Sequence, residues 1–114
     1  MRARTDDGFE IERRNVGEGW QAIVERLHGD LLALDPDCQV AQIKEKFGGL
    51  RYYINISEGV EDETQRKMYA LTYEAEADSM STCEVCGQPG RPSTARFWIK
   101  TVCSDHAGDQ GFKR

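Results

Sequence analysis

Two pairs of potential metal ligands lie near the end of this 114-residue sequence. Cys83 and Cys86 form a C-x2-C pair, and Cys103 and His106 form a C-x2-H pair after sixteen intervening residues. A C-x2-C turn brings two thiolates to one ion, and Gly87 supplies the backbone freedom that such a turn needs. Three thiolates and one imidazole match tetrahedral zinc, so the sequence predicts one structural zinc ion.

Other hypotheses for the same cysteines are another metal, a redox pair, a disulfide framework and a catalytic zinc. A thioredoxin-like pair requires a βαβ context that the sequence does not show. No apolar run has the length of a signal peptide or a membrane span, which predicts a cytoplasmic location where disulfides are disfavoured. Catalytic zinc usually keeps three protein ligands, whereas this spacing supplies four. Hydrolase, P-loop and dinucleotide motifs are absent, and the sequence therefore predicts no enzymatic activity.

A helix and a β-hairpin are predicted ahead of the cysteine module. Apolar residues at i, i+3, i+4 and i+7 spacing predict an amphipathic helix that ends before Pro36. This stripe consists of Trp20, Ile23, Val24, Leu27, Leu31 and Leu34. Beyond it, two β-prone runs flank Gly48 and Gly49, which predicts strands at about residues 39–47 and 50–56 joined by a glycine turn.

One face of this hairpin and a thin stripe on a second helix are expected to complete the core. The buried face of the hairpin is predicted to consist of Ala41, Ile43, Phe47, Leu50, Tyr52, Ile54 and Ile56. The stretch that follows has helical composition, with acidic residues near its start, where the positive end of the helix dipole stabilises their negative charge. Its apolar stripe is Thr64, Met68, Leu71 and Ala75.

These elements predict an α+β protein: helix, β-hairpin, helix, then a C-terminal zinc module. The expected divisions are a flexible segment at 1–15, an α-β-β-α core at 16–80 and the module at 81–114. Within the module, a β-prone run precedes Cys103, and Ser104 or Asp105 could cap a short helix. A helix at 104–110 would indicate a treble clef, and its absence a zinc ribbon.

The charge distribution indicates where a partner could bind. The net charge of −5 argues against nonspecific attraction of the whole chain to nucleic acid or an anionic membrane. Seven acidic residues against two basic ones lie between residues 58 and 80. The favoured function is a non-enzymatic protein-interaction module that uses one hairpin face or the acidic helix. The partner-binding residues predicted for it are Lys44, Lys46, Arg51, Tyr53, Glu61, Asp62 and Glu63.

A nucleic-acid-binding regulator is the alternative function, and a metal-dependent enzyme is a second one. Basic residues interleaved with aromatic ones on a zinc module are typical of proteins that bind single strands. Here they are Arg91, Arg96, Lys100 and Trp98. Two further residues fit simpler structural roles: Cys38 as a buried apolar side chain, and His28 as a residue at the border of the first helix's apolar face.

The phrase "IKEKFGGLRYYIN", followed by "CEVCG" and "TVCSDHA", resembles a group of small proteins found in bacteria and their phages. The resemblance extends over about residues 20 to 107, and the hairpin phrase is its most specific part. It implies a zinc module and a bacterial or phage context, and it assigns no reaction. It therefore favours a small inhibitor or modulator that binds a larger bacterial complex.

Overall fold

The structure, a computed structural model, describes residues 6–95 and 98–110. The predicted α+β class is confirmed, because helices alternate with two small antiparallel hairpins. The elements in chain order are α1 (Asp6–Glu12), a 3₁₀ helix (Arg13–Asn15), a second 3₁₀ helix (Glu18–Trp20), α2 (Gln21–Leu34), β1 (Gln39–Lys46), β2 (Gly49–Asn55), α3 (Asp62–Ser79), β3 (Arg91–Ala95), β4 (Trp98–Val102) and α4 (Ser104–Gln110).

Helices α2 and α3 pack against each other and cover the hairpin of β1 and β2. The predicted apolar stripe is confirmed: Val24, Leu27 and Leu31 of α2 are buried, and so is Trp20 directly before this helix. Asp35 leaves the helical conformation at φ −144° and ψ 90°, as the residue before a proline is expected to do. Met68 and Ala75 of α3 are buried on the predicted thin stripe, and the rest of that helix is largely exposed.

The hairpin turn lies one residue earlier than the sequence predicts. Lys46 pairs with Gly49, so the two turn residues are Phe47 and Gly48, with φ of 55° and 86°. Positive φ at both central residues is the conformation whose twist matches antiparallel strands. Phe47 is therefore exposed at the tip and not buried, and a register shift between Val40 and Gln42 leaves Ala41 exposed as well.

Both outer edges of the hairpin are occupied. Along β1, the Glu12 carboxylate accepts from the Ile43 backbone N–H at 3.0 Å, and Asn15 Nδ2 donates to the Ile43 carbonyl at 3.0 Å. Along β2, Ser79 Oγ accepts from the Leu50 backbone N–H at 2.9 Å. These contacts give Ile43 and Leu50 the hydrogen-bond partners that a third strand would otherwise supply.

The residues from 6 to 15 are helical, whereas the sequence predicted a flexible segment over 1–15. Phe9 is only 4% exposed, and its ring stacks on His28 with the centroids 3.8 Å apart. His28 Nδ1 also lies 3.0 Å from the Tyr52 hydroxyl. Residues 6–15 are attached to the core by this ring stacking and by the hydrogen bonds of Glu12 and Asn15 to Ile43. These contacts with distant residues leave little periodic signal in the sequence.

Candidate metal centre

The four predicted ligands converge on one point. Their ligand atoms all lie within 4.8 Å of one another. Cys86 Sγ is 3.8 Å from Cys103 Sγ, and the His106 Nδ1 atom is 3.6 Å from Cys83 Sγ and 3.2 Å from Cys103 Sγ. Around a tetrahedral zinc with bonds of about 2.3 Å to sulfur, neighbouring sulfurs would be about 3.8 Å apart. The cluster therefore fits one metal ion with four protein ligands.

Backbone geometry on each side of the cluster positions the ligands. The Gly87 N–H donates to the Cys83 carbonyl at 2.9 Å, and Gly87 has φ +84°, which an L side chain rarely adopts. Cys103 comes directly before α4, and His106 lies in the first turn of that helix. The helix at 104–110 is present, which is the outcome that the sequence analysis associates with a treble clef, and the cluster is compatible with a small zinc module.

The protonation state of Cys83 favours metal binding. Burial opposes ionisation of Cys83, but hydrogen bonds from the backbone of Cys103, Cys86 and Val85 outweigh it and lower its pKa to about 6. At neutral pH this thiol is thus mostly in the form that binds metals. The pKa of His106 is raised, chiefly by its hydrogen bond to Cys103, so protons compete with the metal for this ring.

The knuckle between Cys83 and Cys86 is attached to the start of α2 through Glu84. The Gly19 N–H donates to the Glu84 carbonyl at 2.7 Å. The Glu84 carboxylate is buried, and it accepts from the Gly17 N–H at 3.1 Å and from Lys100 Nζ at 3.0 Å. Because a buried carboxylate is costly without partners, these contacts hold the knuckle, β4 and the entry to α2 together.

Two further hydrogen bonds join the metal-binding module to the core. Trp20 Nε1, in a side chain that is fully buried, donates to the Thr82 carbonyl at 2.8 Å. Thr101 Oγ1, also buried, donates to the Gly48 carbonyl at 2.6 Å. The module therefore rests on both α2 and the tip of the first hairpin, and the boundary predicted at residue 80 separates two units that share buried contacts.

The predicted basic residues share one face of the β1–β2 hairpin. Lys44 pairs across the strands with Arg51, and Lys46 and Tyr53 lie on the same face by strand alternation. Arg51 is not free, since its guanidinium lies 3.6 Å from the Glu76 carboxylate of α3. This face therefore meets α3 along one side.

The acidic residues Glu61, Asp62 and Glu63 are exposed at the N-terminus of α3, beyond the groove that Arg51 lines. Two exposed tyrosines of α3, Tyr69 and Tyr73, line that groove and were not among the predicted partner-binding residues. Their i, i+4 spacing on an otherwise polar helix was the available signal, because such a pair shares one helical face.

Three of the four predicted nucleic-acid residues, Arg91, Lys100 and Trp98, lie in the described part of the β3–β4 hairpin. Arg91 and Trp98 lie at opposite ends of the β3–β4 hairpin. The charge of Lys100 is paired with the carboxylate of Glu84. Arg96 lies outside the described residues. Among the described residues, the positive charge that a nucleic-acid-binding function requires is thus dispersed or neutralised.

Comparisons with protein families, curated proteins and solved structures give no match for this chain. Among the described residues, no helix is both long and apolar enough to cross a membrane.

Cys38 lies outside the metal cluster and is expected to be unreactive in the folded protein. Burial, together with the charges of Asp35 and Asp37, raises its pKa to about 11. The raised pKa lowers the thiolate fraction at pH 8 by roughly a hundredfold relative to an ordinary thiol. Iodoacetamide labelling followed by mass spectrometry should show Cys38 alkylated at least that much faster in urea than in buffer. Equal rates would show that the site is open.

Proposed function

We propose that this protein is a zinc-stabilised interaction module that binds a protein partner through the outer face of the β1–β2 hairpin and performs no catalysis. The observation that carries the proposal is a groove of about 230 Å³ between β2 and α3. Exposed Tyr53, Tyr69 and Tyr73 line it, together with Arg51. Tyrosine and arginine are the residue types enriched in the energetic centres of protein interfaces.

The state of Arg51 supports a ligand at this groove. Its Nε is buried and has no hydrogen-bond acceptor among the described residues, and its contact with Glu76 is long at 3.6 Å. A guanidinium is best satisfied by a planar bidentate acceptor. A carboxylate or backbone carbonyl of a partner that enters the groove would complete hydrogen bonding that the free protein leaves incomplete.

The metal fits a structural role in this proposal. Four protein ligands converge on the ion position and account for a full tetrahedral shell. We therefore assign zinc, one per chain, to holding the module against α2 and the hairpin. The resemblance to bacterial and phage proteins adds the narrower proposal that the partner belongs to a larger bacterial complex that this protein inhibits or modulates.

Tyr73→Ala and Arg51→Ala are expected to weaken partner binding by about 2 kcal/mol each, or about thirtyfold in Kd, as for residues at an interface centre. Proteins captured from cells by the wild type would be purified, and their affinities for the wild type and for each variant would be measured by calorimetry. Arg66→Ala is the matched control, since Arg66 is exposed on α3 outside the groove. Equal affinity of all variants would remove the groove from the interface.

A further inference from the structure

A second groove separates the tip of the first hairpin from the zinc-module hairpin. It has a volume of about 420 Å³, and its apolar lining consists of Phe47, Trp98 and Ile99. Phe47 is 66% exposed and Trp98 is 70% exposed, which places two large aromatic rings in solvent at one site. Isolated exposed apolar residues are ordinary, but a clustered aromatic patch marks a binding surface.

The exposure of Phe47 is maintained against a local energetic cost. Its φ of 55° is uncommon for a non-glycine residue, and a bulky side chain there costs about 1–2 kcal/mol. The next residue, Gly48, is held from two sides: its N–H donates to the Glu45 carboxylate at 2.7 Å, and its carbonyl accepts from Thr101. Asparagine or glycine would relieve the strain, so the ring at this position needs a reason other than folding.

The two walls of the groove belong to different modules. A Cβ built on Gly48 would lie 3.2 Å from Ile99 Cγ2 and 3.3 Å from Thr101 Oγ1, so β4 packs directly on the hairpin turn. Phe47 and Trp98 are thus brought to one groove by the same contacts that dock the zinc module. The groove is expected to form only when that module is folded.

Charge at the rim indicates the chemistry of the occupant. The Glu45 carboxylate accepts from the Gly48 N–H and keeps its negative charge, and Lys100 forms an ion pair with Glu84. Lys46 takes part in no ion pair among residues 6–95 and 98–110, and its ammonium lies 5.7 Å from the Phe47 ring. A cation without an ion pair beside an apolar floor complements an apolar side chain followed by a carboxylate.

We propose that this groove is a docking site for a protein segment that carries an aliphatic or aromatic side chain next to an acidic residue. The apolar side chain fills the space between Phe47 and Trp98, and the carboxylate pairs with Lys46. A single strand of nucleic acid is a poorer fit, because Lys46 is the only basic residue in the lining that has no carboxylate partner among the described residues. The proposal does not depend on the groove between β2 and α3, which is called the tyrosine groove below because Tyr53, Tyr69 and Tyr73 line it.

The test is selection of a random displayed-peptide library on the immobilised zinc-loaded protein, followed by calorimetry with the enriched synthetic peptides. We expect enriched peptides to share an apolar residue adjacent to Asp or Glu. Phe47→Gly and Trp98→Ala should each lower affinity by about tenfold or more. Phe47→Gly should also leave the thermal melting temperature equal or higher, because it relieves the positive φ.

Controls separate this site from the rest of the molecule. Ile11→Ala removes an exposed apolar side chain on α1, and Tyr73→Ala alters the other groove, so both should bind the peptides as the wild type does. Lys46→Glu should weaken binding of the acidic peptide and strengthen binding of the same peptide with Lys in place of its acid. This exchange of charge would identify the contact directly.

Several results would overturn the proposal. One is that no peptide is enriched on the wild type above the level found on the Phe47→Gly, Trp98→Ala double variant. The others are that both single variants keep full affinity, or that Phe47→Gly has a lower melting temperature. Salt-sensitive binding of fluorescent oligothymidine that Trp98→Ala abolishes would assign the groove to nucleic acid instead. Dimerisation in sedimentation experiments that Phe47→Gly abolishes would assign it to a second copy of the chain.

Discussion

Removal of zinc is expected to unfold the whole protein and not only its C-terminal module. Structural zinc contributes on the order of 10 kcal/mol in small modules, which is comparable to the entire stability of an ordinary domain, about 5–15 kcal/mol. The knuckle that carries Cys83 and Cys86, together with Thr82 before it, supplies buried partners to Gly17, Gly19 and Trp20 at the start of α2. Losing the metal therefore removes contacts inside the core.

Elemental analysis should find one zinc per chain, and Cys83→Ser or His106→Ala should reduce it. Thermal melts followed by circular dichroism should show the helical transition of the chelated protein far below that of the zinc-loaded protein, or absent. Cys38→Ala is the matched control, because it removes a buried cysteine that is not a ligand. Unchanged helix content and melting temperature after complete chelation would show that the core folds without the metal.

The features that sequence predicts correctly are those with a local signal. The apolar period of α2 and its stop before Pro36 come from one continuous stretch of the chain, and each pair of predicted metal ligands lies within four residues. The helix at 104–110 could be anticipated only as one of two outcomes, because a seven-residue helix beside a metal has almost no apolar period of its own.

The features that sequence misplaces depend on distant contacts. Two adjacent glycines favoured a turn at Gly48 and Gly49, but the contact from Thr101 to the Gly48 carbonyl and the pairing of Lys46 with Gly49 place it at Phe47 and Gly48. No local rule places a phenylalanine at positive φ. The tyrosine groove is likewise composed of residues from β2 and α3, which only the fold brings together.

Gly19→Ala is expected to destabilise the zinc-loaded protein by about 3 kcal/mol or more. A Cβ on Gly19 would lie 2.0 Å from the Cys83 carbonyl oxygen, 2.4 Å from the Gly87 nitrogen and 2.8 Å from the Cys86 nitrogen. These are backbone atoms of the knuckle, which cannot turn aside as a flexible side chain would. Overpacking usually costs about 1–3 kcal/mol, and a clash with metal-anchored backbone belongs at or above the upper end.

Gly29→Ala is the matched control, because it makes the same chemical change nearby on α2. Nothing lies within 4 Å of a Cβ at Gly29, and alanine should stabilise the helix interior by up to about 1 kcal/mol. Urea unfolding of the two zinc-loaded variants should therefore shift in opposite directions while both retain one zinc per chain. If Gly19→Ala is as stable as the wild type, the knuckle does not pack on the start of α2. In that case zinc removal should spare the core, so the Gly19 and chelation experiments together test one claim: that the metal site and the core form a single cooperative unit.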